Sequence, residues 1–170
     1  MNFKDYIRDI ENFPKQGVVF KDITPLLNDA DILKKATKAL LNLVNEYKID
    51  KVVGIESRGF FFATLLSTEL NAGFVPVRKK GKLPFTVLSK PYSLEYGDDA
   101  VEIHADAIQK NDRVLIHDDV LATGGTAKAV CELVEELGGK IIQCNFLIEL
   151  DFLKGREQLA AYTVASLIHY

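Results

Sequence analysis

Apolar residues recur along this chain with two different periods. From Ile32 to Tyr47 they fall at Leu33, Ala36, Leu40, Leu43, Val44 and Tyr47, a spacing that predicts a helix with Asp29 or Asp31 as its cap. Lys51–Ile55 is short, β-branched and bounded by polar residues, as a buried strand is. Arg58–Asn71 predicts a helix stopped by Gly73, and Phe74–Arg78 a second strand. Arg113–Asp118 predicts a third strand and Thr126–Leu137 the helix behind it. In that helix Val130, Leu133, Val134 and Leu137 form one stripe, and Glu132, Glu135 and Glu136 face water. Gly138-Gly139 ends the helix, and Ile141–Leu150 follows as a strand.

Strands alternating with helices imply an α/β fold: a central, mostly parallel, twisted sheet flanked by helices and joined by right-handed crossovers. Ligands of such sheets bind at the carboxyl ends of the strands. Three stretches qualify: Glu56-Ser57-Arg58, Arg78–Lys82 and Asp118–Thr126. Between them, KKGKLPFTVLSKPYSLEYGDDAVEIH fits no helix. Alternation in Tyr92–Tyr96 and Ala100–His104 predicts a hairpin with a mobile tip, a lid over an anion.

Composition narrows this picture. The chain has 170 residues, 48% hydrophobic and 26% charged, with no repeat, which favours one domain. A net charge of −3 gives no basic face for nucleic acid. The charged start MNFKDYIRDIENF has no signal-peptide core, and no uncharged run is long enough to span a bilayer. Cys131 and Cys144 stand apart in sequence, and we expect reduced, buried thiols in a cytosolic protein.

The chemistry concentrates in HDDVLATGGT, His117 to Thr126. A glycine-rich turn that opens a helix offers free N–H groups and the positive end of a helix dipole to a phosphate. Asp118 and Asp119 must then face another part of the same ligand, and a sugar phosphate fits, its hydroxyls donating to the carboxylates. The acids can also help hold magnesium, directly or through water. An acid pair alone would suit a solvated strand end or a receiver-like metal site, and TGGT alone a plain helix start. Together they favour the sugar phosphate. His117 alternates away from Asp118, as a hydrogen-bonded core histidine would.

VLIHDDVLATGGT also resembles the phosphoribosyl-diphosphate motif of type I phosphoribosyltransferases. FPKQGVVFKDITPLL, GIESRGFFF, VRKKGKLP with YSLEYG, and KGREQL resemble, in order, the base-binding segment, pyrophosphate turn, mobile catalytic loop and C-terminal signature of the adenine phosphoribosyltransferase family. The resemblance runs from about Phe13 to the end. It implies the type I phosphoribosyltransferase fold in a single domain, with a small N-terminal base-binding hood over residues 1–30 and a mobile hairpin lid over residues 79–104. It implies transfer of ribosyl 5-phosphate from 5-phosphoribosyl 1-diphosphate to adenine, giving AMP and pyrophosphate, by a cytoplasmic, magnesium-dependent homodimer engaged in purine salvage.

The resemblance also implies roles for residues. Ser57, Arg58, Arg78, Lys79 and Lys82 would hold the diphosphate. Asp118 and Asp119 would hold the ribose. Ala122, Thr123, Gly124, Gly125 and Thr126 would hold the 5-phosphate. Val19, Phe20, Lys21 and Leu150 would surround adenine, and Glu95, with Tyr96 beside it, would move the proton at the base. Magnesium would be carried mainly by diphosphate, ribose hydroxyls and water, with no direct protein ligand. Glu56-Ser57 matches a bond that is often cis in the family. Lys21, Gln16, Phe85 and His117 depart from the family's usual residues. Two rivals are a phosphoribosyltransferase for another purine and a non-catalytic sensor of the sugar diphosphate. Against the first stands GVVFKDITP. Against the second stand the retained Glu95 and lid lysines and the lack of a DNA-binding extension.

Overall fold

A computed structural model describes residues 1–44, 48–93 and 98–170. The chain divides into two compact units, Met1–Ala39 and Leu40–Tyr170. In the first, a short 3-10 turn leads to β1 (Arg8–Glu11), which pairs antiparallel with β2 (Val19–Asp22). The turn between them contains a cis Phe13–Pro14 bond and is held by Asn12 Oδ1, which accepts from Gly17 N at 2.9 Å. Next come α1 (Thr24–Asn28) and α2 (Ala30–Asn42). Asp29 caps α2, accepting from Asp31 N at 3.0 Å and Ile32 N at 3.1 Å. The helix thus begins two residues before the predicted start, and it ends at Asn42; Tyr47 lies outside the described residues.

The second unit is built on a seven-stranded sheet. Its strands are β3 (Lys51–Ile55), β4 (Gly73–Lys79), β5 (Val87–Ser93), β6 (Asp98–His104), β7 (Arg113–Leu121), β8 (Lys140–Glu149) and β9 (Val164–His169). Their order across the sheet is β5-β6-β4-β3-β7-β8-β9. The five strands from β4 to β9 in that order pair parallel, and β6 and β5 extend the β4 edge antiparallel. The predicted hairpin is β5–β6, with its first arm at Val87–Ser93 rather than Tyr92–Tyr96; Glu95 and Tyr96 lie outside the described residues.

α3 (Gly59–Glu69) packs against β3, β4 and β7, and α4 (Gly125–Glu136) against β5 to β8. Val130, Leu133 and Val134 of α4 are fully buried, as the stripe requires, whereas Glu132 is half-buried and pairs with Lys90 at 3.2 Å. Cys131 and Cys144 are both buried, free thiols with sulfurs 3.6 Å apart. Among the described residues, no helix is long and apolar enough to cross a membrane.

β1 and β2 have no counterpart among the predicted elements, and two strands of the main sheet also differ from expectation. β7 runs on to Leu121 because its pairing with β8 continues through Leu121↔Glu149 past the acids. β9 was not foreseen: it lies at the sheet edge and only Ile168 is fully buried, so its sequence carries no clean period. A short C-terminal helix, α5 (Gly155–Gln158), precedes it.

Candidate active site

β7 carries two kinds of polar residue. His117 faces inward and is wholly buried, with Nδ1 2.9 Å from Asn145 Oδ1 and its ring edge-on to Phe62. Asn145 Nδ2 donates to Gln143 Oε1 at 3.3 Å, and Gln143 Nε2 to the Leu43 carbonyl at 2.9 Å. Burial lowers the His117 pKa to about 4, so the ring is neutral and its Nδ1–H is the donor to Asn145. The expected core histidine is what the structure contains.

Asp118 and Asp119 follow. Asp119 is 4% exposed, and its Oδ2 lies 2.8 Å from Arg58 Nε; its backbone N–H donates to Asp118 Oδ1 at 2.8 Å. Burial, and then the charge of Asp119, push Asp118 well above the usual carboxylate range. Burial raises Asp119 too, against the opposing charge of Arg58. Burial therefore disfavours two full negative charges on the pair at once. Gly59, at the start of α3, lets that helix approach: a Cβ there would lie 2.8 Å from Asp118 Oδ1 and 3.1 Å from the His117 carbonyl oxygen.

The turn Ala122–Thr126 joins β7 to α4. Gly124 precedes α4 at φ +85°, a conformation that a side chain would strain. Its neighbour in space is Gly155 of the C-terminal segment. A Cβ on Gly124 would fall 2.4 Å from Gly155 O, and one on Gly155 would fall 2.2 Å from Ala122 O. Leu150 N donates to Leu121 O at 3.0 Å, fastening the end of β8 to the end of β7. A hollow beside the turn is lined by Tyr92, Thr123, Gly125, Lys128 and Gln158 among others.

The basic residues lie at the ends of β3 and β4. Ser57 is exposed, and the Glu56–Ser57 bond is cis, as the family pattern implied. Arg78 Nε lies 3.3 Å from Glu56 Oε2, and Arg78 Nη1 donates to the Lys82 carbonyl at 3.3 Å. Lys79 N donates to Glu56 at 2.8 Å, Lys79 Nζ lies 3.1 Å from Asp99, and the Lys82 ammonium also meets Glu56. Asp99 raises the Lys79 pKa through that contact. The sequence places Glu56 at a ligand-facing strand end but gives it no role, because its partners lie far along the chain.

The residues expected at the base divide between the two units. On β2, Val19 is largely exposed, Phe20 meets Phe13 edge-to-face at 5.2 Å, and Lys21 pairs with Asp9 across the hairpin at 2.7 Å. Leu150, in the other unit, is half-buried. Glu95 lies outside the described residues.

Comparison with proteins of known identity bears on what this arrangement belongs to. Residues 22–166 match the family of the phosphoribosyl transferase domain. The chain is 62% identical, over all of both chains, to adenine phosphoribosyltransferase of Flavobacterium johnsoniae. The crystal structure of adenine phosphoribosyltransferase from Rhodothermus marinus is 53% identical, with a TM-score of 0.95 over 99% of this chain and 96% of that one. The Saccharomyces cerevisiae enzyme, solved with adenine and an imino-altritol bisphosphate, is 43% identical, with a TM-score of 0.92 over 97% of this chain and 96% of that one. With its fold and its sequence in agreement over nearly the whole of each chain, the chain belongs to the adenine phosphoribosyltransferase family.

Proposed function

We propose that the strand ends of β3, β4 and β7 bind 5-phosphoribosyl 1-diphosphate and pass its ribosyl 5-phosphate to adenine, releasing AMP and pyrophosphate. The observation that carries this is the juxtaposition, at the strand ends, of a glycine-built helix start and the pair Asp118-Asp119, half-buried and buried in turn. A phosphate suits the first, and a diol the second.

Ala122, Thr123, Gly124, Gly125 and Thr126 take the 5-phosphate through backbone N–H groups and threonine hydroxyls. Asp118 and Asp119 take the ribose hydroxyls. The pair favours the positive charge that grows at the anomeric carbon as pyrophosphate leaves. Ser57, Arg58, Arg78, Lys79 and Lys82 orient the diphosphate. Little covalent work falls to the protein in this reaction, so positioning and charge supply most of the acceleration.

Magnesium fits as a partner carried on the ligand. One Asp118 oxygen is occupied by the Asp119 N–H, and Asp119 Oδ2 sits against Arg58. Among the described residues the cluster of metal-ligand type is Glu149, Asp151 and His169, where Glu149 is already bound by Arg156 at 2.6 Å and by Ser166. The acid pair can therefore touch a hydrated ion through ribose hydroxyls and water. When bound, magnesium neutralises the leaving diphosphate as a Lewis acid.

Val19, Phe20, Lys21 and Leu150 are assigned to adenine, and Glu95 to the proton at the base. Support comes from the family's segment order and from adenine in the yeast enzyme. The chain is proposed to work as one catalytic domain in a cytoplasmic homodimer, with residues 1–30 as the hood over the base and 79–104 as a mobile loop.

The test is pyrophosphate release measured with each purine in turn. Adenine should exceed hypoxanthine and guanine by orders of magnitude, since a site that reads polar edges rejects a misplaced hydrogen-bonding group. Equal turnover with either competitor removes the adenine assignment. Unchanged turnover in the Asp118→Asn, Asp119→Asn double variant removes the acid pair from the site.

A further inference from the structure

Glu56 directly follows β3 and has no place in the assignments above. Its side chain is only 8% exposed, yet it meets Arg78 Nε, the Lys79 N–H and the Lys82 ammonium. Burial alone would raise its pKa; these contacts outweigh burial and leave it below the usual glutamate value. It is an anion at neutral pH, set between two of the cations assigned to the diphosphate.

The same pairing recurs across the cluster. Arg58 lies against Asp119, and Lys79 Nζ against Asp99. Each basic side chain assigned to the diphosphate thus faces a carboxylate of the chain itself. Such pairing costs little while no ligand is present, because the cations keep a fixed direction and a compensated charge. It acts differently once an anion arrives. Glu56 is then a like charge beside that anion, and like charges held together in a half-buried site repel.

The partners of Glu56 are not equally movable. The Lys79 N–H is backbone and fixes one carboxylate oxygen. Lys82 stands on a flexible stem, with about half its side chain exposed (47%). Lys82 is therefore the group that can leave.

Resting on the diphosphate assignment of Arg58, Arg78 and Lys82, we propose that Glu56 is a built-in competitor for the diphosphate subsite: it holds Lys82 when the subsite is empty, yields it to the diphosphate, and takes it back as pyrophosphate departs. Glu56 thereby weakens the grip on the leaving product without contributing to the chemical step.

Calorimetric titration with magnesium pyrophosphate tests this on the wild type, Glu56→Gln, Lys82→Gln and the double variant. Glutamine keeps an acceptor for the Lys79 N–H and removes the charge. Glu56→Gln should bind pyrophosphate about tenfold more tightly. Lys82→Gln should bind it less tightly, and in that background the Glu56→Gln gain should shrink by at least half on a logarithmic scale, about threefold remaining at most. Unchanged or weaker binding by a folded Glu56→Gln protein overturns the proposal, as does a gain that persists in full without Lys82. Should Glu56→Gln fail to fold, Glu56→Asp serves instead. Its shorter carboxylate cannot reach both the Lys79 N–H and Lys82, so it should show a smaller tightening, and no tightening overturns the proposal. Pyrophosphate affinity unchanged in Arg58→Gln, Arg78→Gln and Lys82→Gln alike removes the diphosphate assignment itself. A normal loss in those three with no gain in Glu56→Gln removes only the role of Glu56.

Discussion

The turn after β7 and the charged cluster after β3 and β4 stand at one sheet edge, yet they are made differently. The turn is backbone. Gly124 sets its conformation, Gly155 closes against it, and the start of α4 supplies its dipole. The cluster is side chain. Its geometry depends on which carboxylate each lysine or arginine meets, and most of its cations are partly exposed. A site made of backbone cannot be retuned one residue at a time without disturbing the fold. A site made of long side chains can be retuned freely, but holds its shape only through its pairings. Variants in the first should therefore lose stability and activity together, and variants in the second should separate them.

The largest effect should come from Gly155→Ala. Its Cβ would fall 2.2 Å from a backbone oxygen, so either the turn or the C-terminal segment must move. We expect a loss of roughly 3 kcal/mol or more in denaturant unfolding, with pyrophosphate release falling alongside it. Wild-type stability with wild-type turnover would show that the two segments are not locked.

Next is the acid response of His117 beneath the site. Its pKa falls from 6.5 to about 4 on folding. The neutral ring's contribution is complete above the unfolded value and is lost as pH falls from 6.5 toward 4. Over that window it amounts to roughly 3 kcal/mol. Urea unfolding between pH 7 and 4 should show this loss, and His117→Gln should flatten it. An unchanged slope in the variant would assign the acid sensitivity elsewhere.

Asp118→Asn tests the place where backbone and charge meet. Turnover should fall about a hundredfold if the carboxylate stabilises the transition state. Stability should move the other way. A folded pKa above the unfolded one means that the wild type loses stability as pH rises past the ordinary aspartate value. The variant should therefore be the more stable protein at neutral pH, and the difference should vanish below the ordinary aspartate range. Thermal unfolding at two pH values checks the sign.

The smallest change should be Lys21→Arg. The cross-strand pair with Asp9 can be kept by either cation, so stability should stay within about 1 kcal/mol. If the position touches adenine, arginine's planar fork should lower the apparent Michaelis constant for the base and leave that for the sugar diphosphate alone. With both constants unmoved, Lys21 leaves the base-binding set.

The same contrast explains what could be read from the sequence. Strand periods and the glycine turn are local, so the fold class, Asp118-Asp119 and Ala122–Thr126 are visible in a few consecutive residues. The inward face of His117 follows from alternation, but its partner Asn145 does not, since only strand pairing brings β8 beside β7. The part Glu56 plays is invisible for the same reason. β1 and β2 are short and β9 is half-buried, so no hydrophobic period marks them. β7 outran its expected end because backbone pairing to β8 does not stop where side chains turn acidic.

The fastening of Leu121 by Leu150 and the closure of the turn by Gly155 bear on how the protein is made. The glycine turn is translated well before either partner. Until the ribosome has passed Gly155 and that segment has cleared the exit tunnel, the turn lacks both its strand clasp and its back wall. A nascent chain halted just after β8 would have most of its parallel strands and both acids, yet an unfinished turn. The turn proposed for the sugar phosphate is thus completed late in synthesis, when the C-terminal segment docks, rather than gradually as the sheet grows.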